Sequence, residues 1–247
     1  MKVILKNTLF LVLLLFNNII YSQAESVTKV LYKQVPYAIP SDRGLAKEEK
    51  AGIVKENIAR DKVECELTFT KSKSVFGLIE KPLLNKDFDY LREAILVSDK
   101  YYKDIVNQKK TRFEELGGEN LNIILPFNQY NWEITTETKK INNYTCYKAI
   151  CRWDDFNIRR NSTDVFSAEA WFTPEIPSSF GPMGLDGLPG LVLEANYGAS
   201  GIHFYIVKIE FNVENSKVKF NPPAVKYITE EEHQKRLIKE YENMGRE

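Results

Sequence analysis

The stretch GPMGLDGLPGLVLEANYG, residues 181–198, carries five glycines and two prolines beside a purely aliphatic run. A phosphate-binding loop would open a helix with free N–H groups, but Pro189 lacks that donor. The residues after it alternate as a strand with one buried face, formed by Leu191, Leu193, Ala195 and Tyr197. We therefore predict a turn into a buried strand, where Gly187 and Gly190 allow a backbone angle or close approach that a side chain would block.

Hydrophobic alternation with a period of two extends outward from this stretch and predicts further strands. The predicted strands are residues 26–37, VECELTFT (63–70) with its hairpin partner SVFGLIE (74–80), NLNIILPF (120–127), NWEITTETKKI (131–141), YTCYKAICRW (144–153), DVFSAEAWF (164–172), IHFYIVKIEF (202–211) and KVKF (217–220). Asn142 and Asn143 tolerate the positive φ of a tight hairpin turn. The fold class is thus mainly β, with a curved antiparallel sheet or half-barrel.

Helices are expected at the periphery of this sheet. Residues 41–61 are weakly helical or form a solvated loop, and residues 81–107 fit either a helix followed by a strand or strands broken by a loop. Thr229 and Glu232 form a capping box that begins a C-terminal helix. Its apolar side consists of Leu237, Ile238 and Tyr241.

The N-terminus has the pattern of a secretory signal peptide. Lys2 and Lys6 precede an apolar run, residues 9–16, that is too short to span a bilayer. The small-x-small pattern at residues 22–24 predicts cleavage after Ala24 or after Ser22, and an uncleaved anchor is the alternative. We expect residues 1–24 to be the signal, residues 25–247 to form one β-rich domain, and the mature protein to be periplasmic or secreted.

The charge balance argues against a strongly electrostatic partner. The chain has 34 basic and 34 acidic residues, and no basic cluster exceeds two or three residues, so nucleic acid is not an expected partner. After signal cleavage no apolar stretch reaches transmembrane length. With two histidines and no Cys-x-x-Cys pair, we expect no metal site and no cofactor.

Three cysteines cannot all pair with one another, although export permits disulfides. Cys146 and Cys151 are five residues apart on one predicted strand, which places their side chains on opposite faces and excludes a bond between them. Cys65 lies on an apolar face and is expected either to meet one of them or to stay buried and unpaired.

Residues 132–194 resemble the GLPGLI protein family. The family signature stands here as Gly187, Leu188, Pro189, Gly190, Leu191 and Val192. Further matching positions are Trp132, Lys139, Tyr144, Cys146, Lys148, Ala149, Ala170–Thr173, Pro174–Pro177 and Gly181-Pro182. Val192 replaces the final isoleucine, which keeps a β-branched strand residue, and Asn142-Asn143 stands where the family often has glycine.

The resemblance implies a cellular location but no specific activity. The family consists of exported proteins of Bacteroidota with no established activity or catalytic residues. It implies an extracytoplasmic β-rich protein and, through gene neighbourhoods, an outer-membrane or envelope protein partner. By analogy of folds alone we expect a half-barrel like those of periplasmic lipoprotein carriers, which does not transfer their function.

The sequence contains no recognisable catalytic motif, so we assign no catalytic residues. Glu169 and Trp171 lie opposite the apolar strand face formed by Phe166, Ala168, Ala170 and Phe172. With Glu175 and His203 they are candidates to line a ligand groove, or they are ordinary surface groups. His203 is also expected in the core or in a pocket, and His233 on the helix surface.

Two functional hypotheses follow. The first is a non-enzymatic binding or accessory module for an apolar or peptidic ligand, or for an envelope partner. The second is an envelope hydrolase whose site is dispersed along the sequence. An apolar cleft without convergent polar groups would favour the module, whereas clustered carboxylates or a histidine beside a hydroxyl in a cavity would favour the enzyme.

Overall fold

A computed structural model describes residues 25–39, 46–81, 87–157, 162–198, 201–214 and 217–244. The predicted signal peptide lies outside these residues. In the described part of the chain the strands are β1 (Val27–Gln34), β2 (Glu64–Phe69), β3 (Lys73–Leu78), β4 (Lys100–Asp104), β5 (Lys109–Leu116), β6 (Glu119–Leu125), β7 (Glu133–Ile141), β8 (Tyr144–Asn157), β9 (Ser162–Thr173), β10 (Leu191–Asn196), β11 (His203–Val213) and β12 (Lys226–Thr229). The helices are α1 (Lys47–Asp61), α2 (Phe88–Ile95) and α3 (Glu230–Met244).

The strands form one open sheet in the order β12-β6-β5-β4-β3-β2-β1-β11-β10-β9-β8-β7. Neighbouring strands are antiparallel except for β12, which pairs with β6 in parallel. The expected mainly antiparallel β fold with peripheral helices and a C-terminal helix is therefore confirmed. The predicted Asn142 turn is confirmed as well, since Asn142 has φ 53° and Ile141 pairs with Tyr144.

Several local predictions change. Residues 88–104 form the helix-then-strand alternative, α2 followed by β4. Strand β5 was not expected, because its sequence KKTRFEEL has little apolar alternation; it is held by pairing with β4 and β6 on both sides. The predicted KVKF strand is wrong, and the last strand is β12, after the prolines.

The sheet is strongly curved, as the connection between β6 and β7 requires. These strands are second and twelfth in the order, ten steps apart, which would be about 48 Å in a flat sheet. The seven residues between them, 126–132, span at most about 28 Å when extended. The two edges of the sheet must therefore approach each other, although the sheet does not close into a barrel.

The core lies on the inner face of this curved sheet and is filled by the segment 174–190, which we call the crossing segment. It joins β9 to β10, neighbours that a hairpin of two to five residues could connect. Leu185 and Leu188 of this segment are buried against small side chains of β8, β9 and β10, including Ala149, Ala170 and Ala195. Small residues on the sheet thus leave room for the crossing segment.

Two helices close one end of the molecule, and the third follows β12. The guanidinium of Arg60 on α1 is buried, 3.3 Å from the Glu93 carboxylate on α2, and it donates to the Val35 carbonyl. The Oγ1 of Thr229 accepts a hydrogen bond from the Glu232 amide, as expected of the cap of α3. None of the helices in the described residues is long and apolar enough to span a bilayer.

Candidate functional site

The family signature forms the end of the crossing segment and the start of β10. Gly187 has φ 93°, and a Cβ atom on Gly190 would lie 2.2 Å from the Thr173 carbonyl oxygen. The amides of Leu191 and Val192 donate to the carbonyls of Ile176 and Phe180, both at 3.1 Å. The first two residues of β10 are thus held by the crossing segment itself.

The prediction that β10 buries only one face is wrong at the start of the strand. Leu191, Val192 and Leu193 are all buried, because a bulge between Val192 and Glu194 interrupts the alternation. Val192 packs in a cluster with Leu185 and Leu188 of the crossing segment, whereas Leu191 and Leu193 pack in the cluster that contains Cys146. An aliphatic run without polar residues suits burial in both clusters.

An ionic cluster inside the fold anchors the signature. Asp186 is buried, and its two carboxylate oxygens lie 2.7 Å from the Lys103 ammonium and 3.1 Å from that of Lys110. Burial lowers the pKa of Lys110 to about 8, against the opposing effect of Asp186. The indole N–H of Trp132 donates to the Asp186 carbonyl at 2.8 Å. The sequence places Asp186 beside the signature, but gives no sign of its two distant lysines.

Where β3, β4 and the crossing segment meet, the described residues leave little space for a ligand. A cavity of about 10 Å³ lies between β3, β4 and the crossing segment, beside Phe76, Phe180 and Asp186. Such a volume holds about one water molecule. A ligand there would have to displace the crossing segment.

Three of the four candidate groove residues, Glu169, Trp171 and His203, lie on the outer face of the sheet, whereas Glu175 belongs to the crossing segment. The imidazole of His203 is 3.1 Å from Glu194, whose other oxygen is 2.7 Å from the Lys139 ammonium. That ammonium lies over the Trp171 ring, 4.3 Å from its centroid. The outer face therefore connects His203 and Trp171 through an ion-paired network.

The other two candidates have separate partners. Glu169 is 3.3 Å from the Lys148 ammonium, and Glu175 accepts from the Thr145 amide at 2.8 Å. The expectation of a core position for His203 is wrong, because the inward side chains of β11 are Phe204 and Ile206. Ala168, Ala170 and Phe172 are buried, as predicted for their face.

His233 is not a surface residue. It is 7% exposed, and its imidazole contacts the Glu114 carboxylate and lies 3.2 Å from the Arg112 guanidinium. Burial raises the pKa of Glu114, but the His233 hydrogen bond and the Arg112 charge outweigh it and hold that pKa below its usual range. A histidine flanked by Glu and Gln gives no sequence signal of burial, because its partners come from β5.

The cysteines are all free and buried. The prediction that Cys146 and Cys151 do not pair is confirmed. Burial raises the pKa of Cys65 to about 12 and those of Cys146 and Cys151 to about 11. Such thiols are poor nucleophiles near neutral pH. Within the described ranges, no group of three or more His, Cys, Asp or Glu side chains is placed to hold a metal ion.

An open cleft lies on the outer face of β4, β5 and β6. It measures about 700 Å³. One row of paired residues, Tyr102, Thr111 and Ile124, forms its floor. Phe220 and Pro222 of the segment before β12, and Tyr227 of β12, form its wall. Ile124 and Tyr227 are 51% and 50% exposed, so the cleft presents apolar surface to solvent. We call it the outer cleft.

The outer cleft lacks the groups of a hydrolytic site. Among the described residues that line it, Asp104 is the one carboxylate and there is no histidine. Asp104 is 3.2 Å from the Lys73 ammonium and accepts from the backbone and side chain of Asn107. Burial raises the Asp104 pKa, but these hydrogen bonds outweigh it and the pKa is lowered. The Asp104 carboxylate is thus ionised and already paired, which does not suit a general acid or base.

Comparisons with known proteins give a family match over part of the chain and a similar fold. The family described as "Protein of unknown function (Porph_ging)" matches residues 132–194, which contain the signature. None of the curated proteins matches the chain.

The fold is similar to that of PNGF-II, solved in the C2 and P21 space groups. The TM-scores are 0.53 and 0.52, at 14% and 13% sequence identity, over 87% and 88% of this chain. The chain spans only about a third of the length of the solved structures it matches, 33% and 34%. At this identity the likeness concerns the fold alone.

Proposed function

We propose that this chain is a GLPGLI-type protein that acts outside the cytoplasm as a non-enzymatic binding or accessory module. Residues 1–24 direct its export, and residues 25–247 form a single domain. Three observations support the proposal: the signal pattern, the family match over residues 132–194, and a fold that in PNGF-II makes up about a third of a longer chain. A fold joined to other parts in a larger protein suits a module.

The observation that carries the binding role is the outer cleft. The interior, where a lipoprotein carrier would hold an apolar ligand, is filled by the crossing segment and leaves about 10 Å³. The outer cleft offers about 700 Å³ with Phe220, Tyr227 and Ile124 available, within the usual size of ligand sites. We therefore place the apolar or peptidic ligand, or the envelope partner, in this cleft.

The cleft chemistry supports binding over hydrolysis. Its carboxylate is held by Lys73 and Asn107, so it is not available as a general base. The half-buried Glu114 of β5 and the buried His233 of α3 likewise contact one another. The hydrolase remains the alternative hypothesis.

Site-specific photo-crosslinking in the envelope of the native bacterium tests the cleft. A photoreactive amino acid at Ile124, inside the cleft, should yield a discrete crosslinked product that is lost when Tyr227→Ala is added. Val165 is a matched control, since it is 71% exposed on β9 and is not among the residues that line the cleft.

Equal products from both positions, or none from Ile124, would refute the cleft as the binding site. Recovery of the captured species in a specifically cleaved form would support the hydrolase.

A further inference from the structure

We propose that the outer cleft binds an extended acidic peptide segment, in which carboxylate side chains flank apolar or aromatic ones. The inference rests on the proposed binding function and names the class of its ligand. It follows from the shape of the cleft, from its charge, and from its hydrogen-bonding groups.

The cleft continues beyond its main depression. A second depression, of about 620 Å³, lies beside the first and shares five lining residues with it: Lys73, Tyr102, Phe220, Asn221 and Pro222. Together they run from the turn at residues 105–108 past the segment 218–224. Aromatic and apolar side chains recur along this path, including Tyr102, Phe220, Tyr227 and Ile124. An open, elongated trench of this kind suits an extended chain better than an enclosed lipid tail.

The cleft is cationic in a protein whose sequence has no net charge. Five lysines line the two depressions: Lys73, Lys103, Lys109, Lys110 and Lys219. Asp104 neutralises one of them, and Asp186 neutralises one of the pair that it binds. Glu230 also acts on Lys110, so five lysines against three carboxylates leave an excess of positive charge, whereas the whole chain sums to +0.

The geometry of the sheet explains how buried charge reaches the cleft. Lys103 and Lys110 pair across β4 and β5 in the row next to Tyr102 and Thr111, and adjacent positions in a strand point to opposite faces. Their ammonium groups therefore lie under the cleft floor, one sheet thickness away, where both contact the Asp186 carboxylate and the negative charge of Glu230 also acts on Lys110. The protein between these lysines and the cleft has a low dielectric constant and screens their field only weakly, so their positive potential extends into the cleft.

The polar groups of the cleft match a peptide backbone. Asn107, Gln108 and Asn221 line it with amides that both donate and accept hydrogen bonds. Lys109 and Lys219 are exposed and lie along the two depressions. Carboxylates of a bound peptide can reach these ammonium groups while its apolar side chains contact Phe220 and Tyr227.

Calorimetric titration of the protein, purified from the envelope of an expressing bacterium, tests the charge preference. The probes are acetyl-Glu-Phe-Glu-Phe-Glu-amide and its analogues with Lys or Gln in place of Glu. We expect the Glu peptide to bind at least about tenfold more tightly than the Lys peptide at low salt, and less tightly as salt is raised to 0.5 M.

Charge-reversal variants test whether the lysines of the cleft bind the acidic peptide. The double variant Lys109→Glu/Lys219→Glu changes two exposed side chains, so folding should persist, and it should weaken Glu-peptide binding about tenfold or more. Lys140→Glu is the matched control, because Lys140 is exposed on β7 at the other sheet edge; its affinity should stay within about twofold.

Each other outcome overturns the inference. Equal affinity for the three peptides, equal loss in the control variant, or no heat at millimolar peptide would each do so. Tighter binding of a neutral oligosaccharide, such as maltohexaose, would indicate that the ligand of the cleft is a glycan and not an acidic peptide. If crosslinking from Ile124 still succeeds in any of these cases, the cleft function stands and only the ligand class is wrong.

Discussion

Single residues of the signature have distinct physical roles. Gly187 has a positive φ, and Gly190 lies against the Thr173 backbone. Asp186, one position earlier, brings a buried carboxylate to two lysines. Backbone geometry explains the glycines, whereas electrostatics explains the aspartate.

Replacing Gly190 by alanine should destabilise the fold by at least about 2 kcal/mol, because the new Cβ meets a backbone carbonyl that cannot move away easily. Gly190→Val should be worse. Chemical unfolding followed by tryptophan fluorescence measures this. As a control, Gly52→Ala on α1 adds a Cβ to open space and should stabilise by about 0.5–1 kcal/mol. An unchanged stability for Gly190→Ala with lost ligand binding would instead assign the glycine a direct functional role.

Asp186→Asn should cost about 3 kcal/mol of unfolding free energy, since it removes the carboxylate that both buried ammonium groups, Lys103 and Lys110, contact. Denaturant titration at pH 7 checks this. Glu231→Gln is the control, because its pair with Lys235 is exposed, and we expect an unchanged midpoint. Equal unfolding midpoints for Asp186→Asn and Glu231→Gln would show that the buried ion pairs do not hold the crossing segment.

At the scale of elements, alternation along a strand identifies strands better than it identifies which face is buried. β2 with β3, β6, β8 and β9 follow from their sequences, whereas β5 and β12 do not. β5 is polar and is paired on both sides. In β11 the inward residues are Phe204 and Ile206, so His203 faces outward. Both faces of that strand carry apolar residues, and the choice between them depends on the neighbouring strands.

His233→Ala should loosen α3, because it removes the contact of this helix with the half-buried Glu114 carboxylate of β5, which keeps Arg112 beside it. Hydrogen exchange should accelerate in α3 and β12 and stay slow in β1 and β2. Lys235→Ala, two positions further along α3 and on an exposed side chain, should leave exchange unchanged. Uniform acceleration over the whole sheet would show that His233 supports the global fold and not one helix.

The same pair gives a pH dependence with a defined sign. The folded pKa of Glu114 is lowered, so its stabilisation is present above the unfolded pKa, near 4.3, and is lost as pH falls through the folded value. The stability difference between wild type and His233→Ala should therefore shrink below about pH 4. Denaturant midpoints at pH 7 and pH 3.5 measure it, and a gap that widens in acid would contradict this account.

At the scale of the whole molecule, export and the single domain stay predictions. Mass spectrometry of the protein recovered from the envelope should show an N-terminus at Glu25 or Gln23. Limited proteolysis should not produce two stably folded halves, because one sheet joins residues from β1 to β12 and a crossing segment ties its distant strands. An intact Met1, or two separable halves, would refute the corresponding prediction.

The sequence by itself determined the strand-rich class, the signal pattern, the Asn142 turn, and the separation of Cys146 from Cys151, because each depends on local periodicity or on spacing along one chain segment. Only the tertiary structure decided where the chemistry lies. Asp186 meets Lys103 and Lys110, 83 and 76 positions away, and the outer cleft joins β4–β6 to residues 220–227. Sheet curvature creates these contacts, and curvature follows from how distant strands pair, which no local pattern encodes.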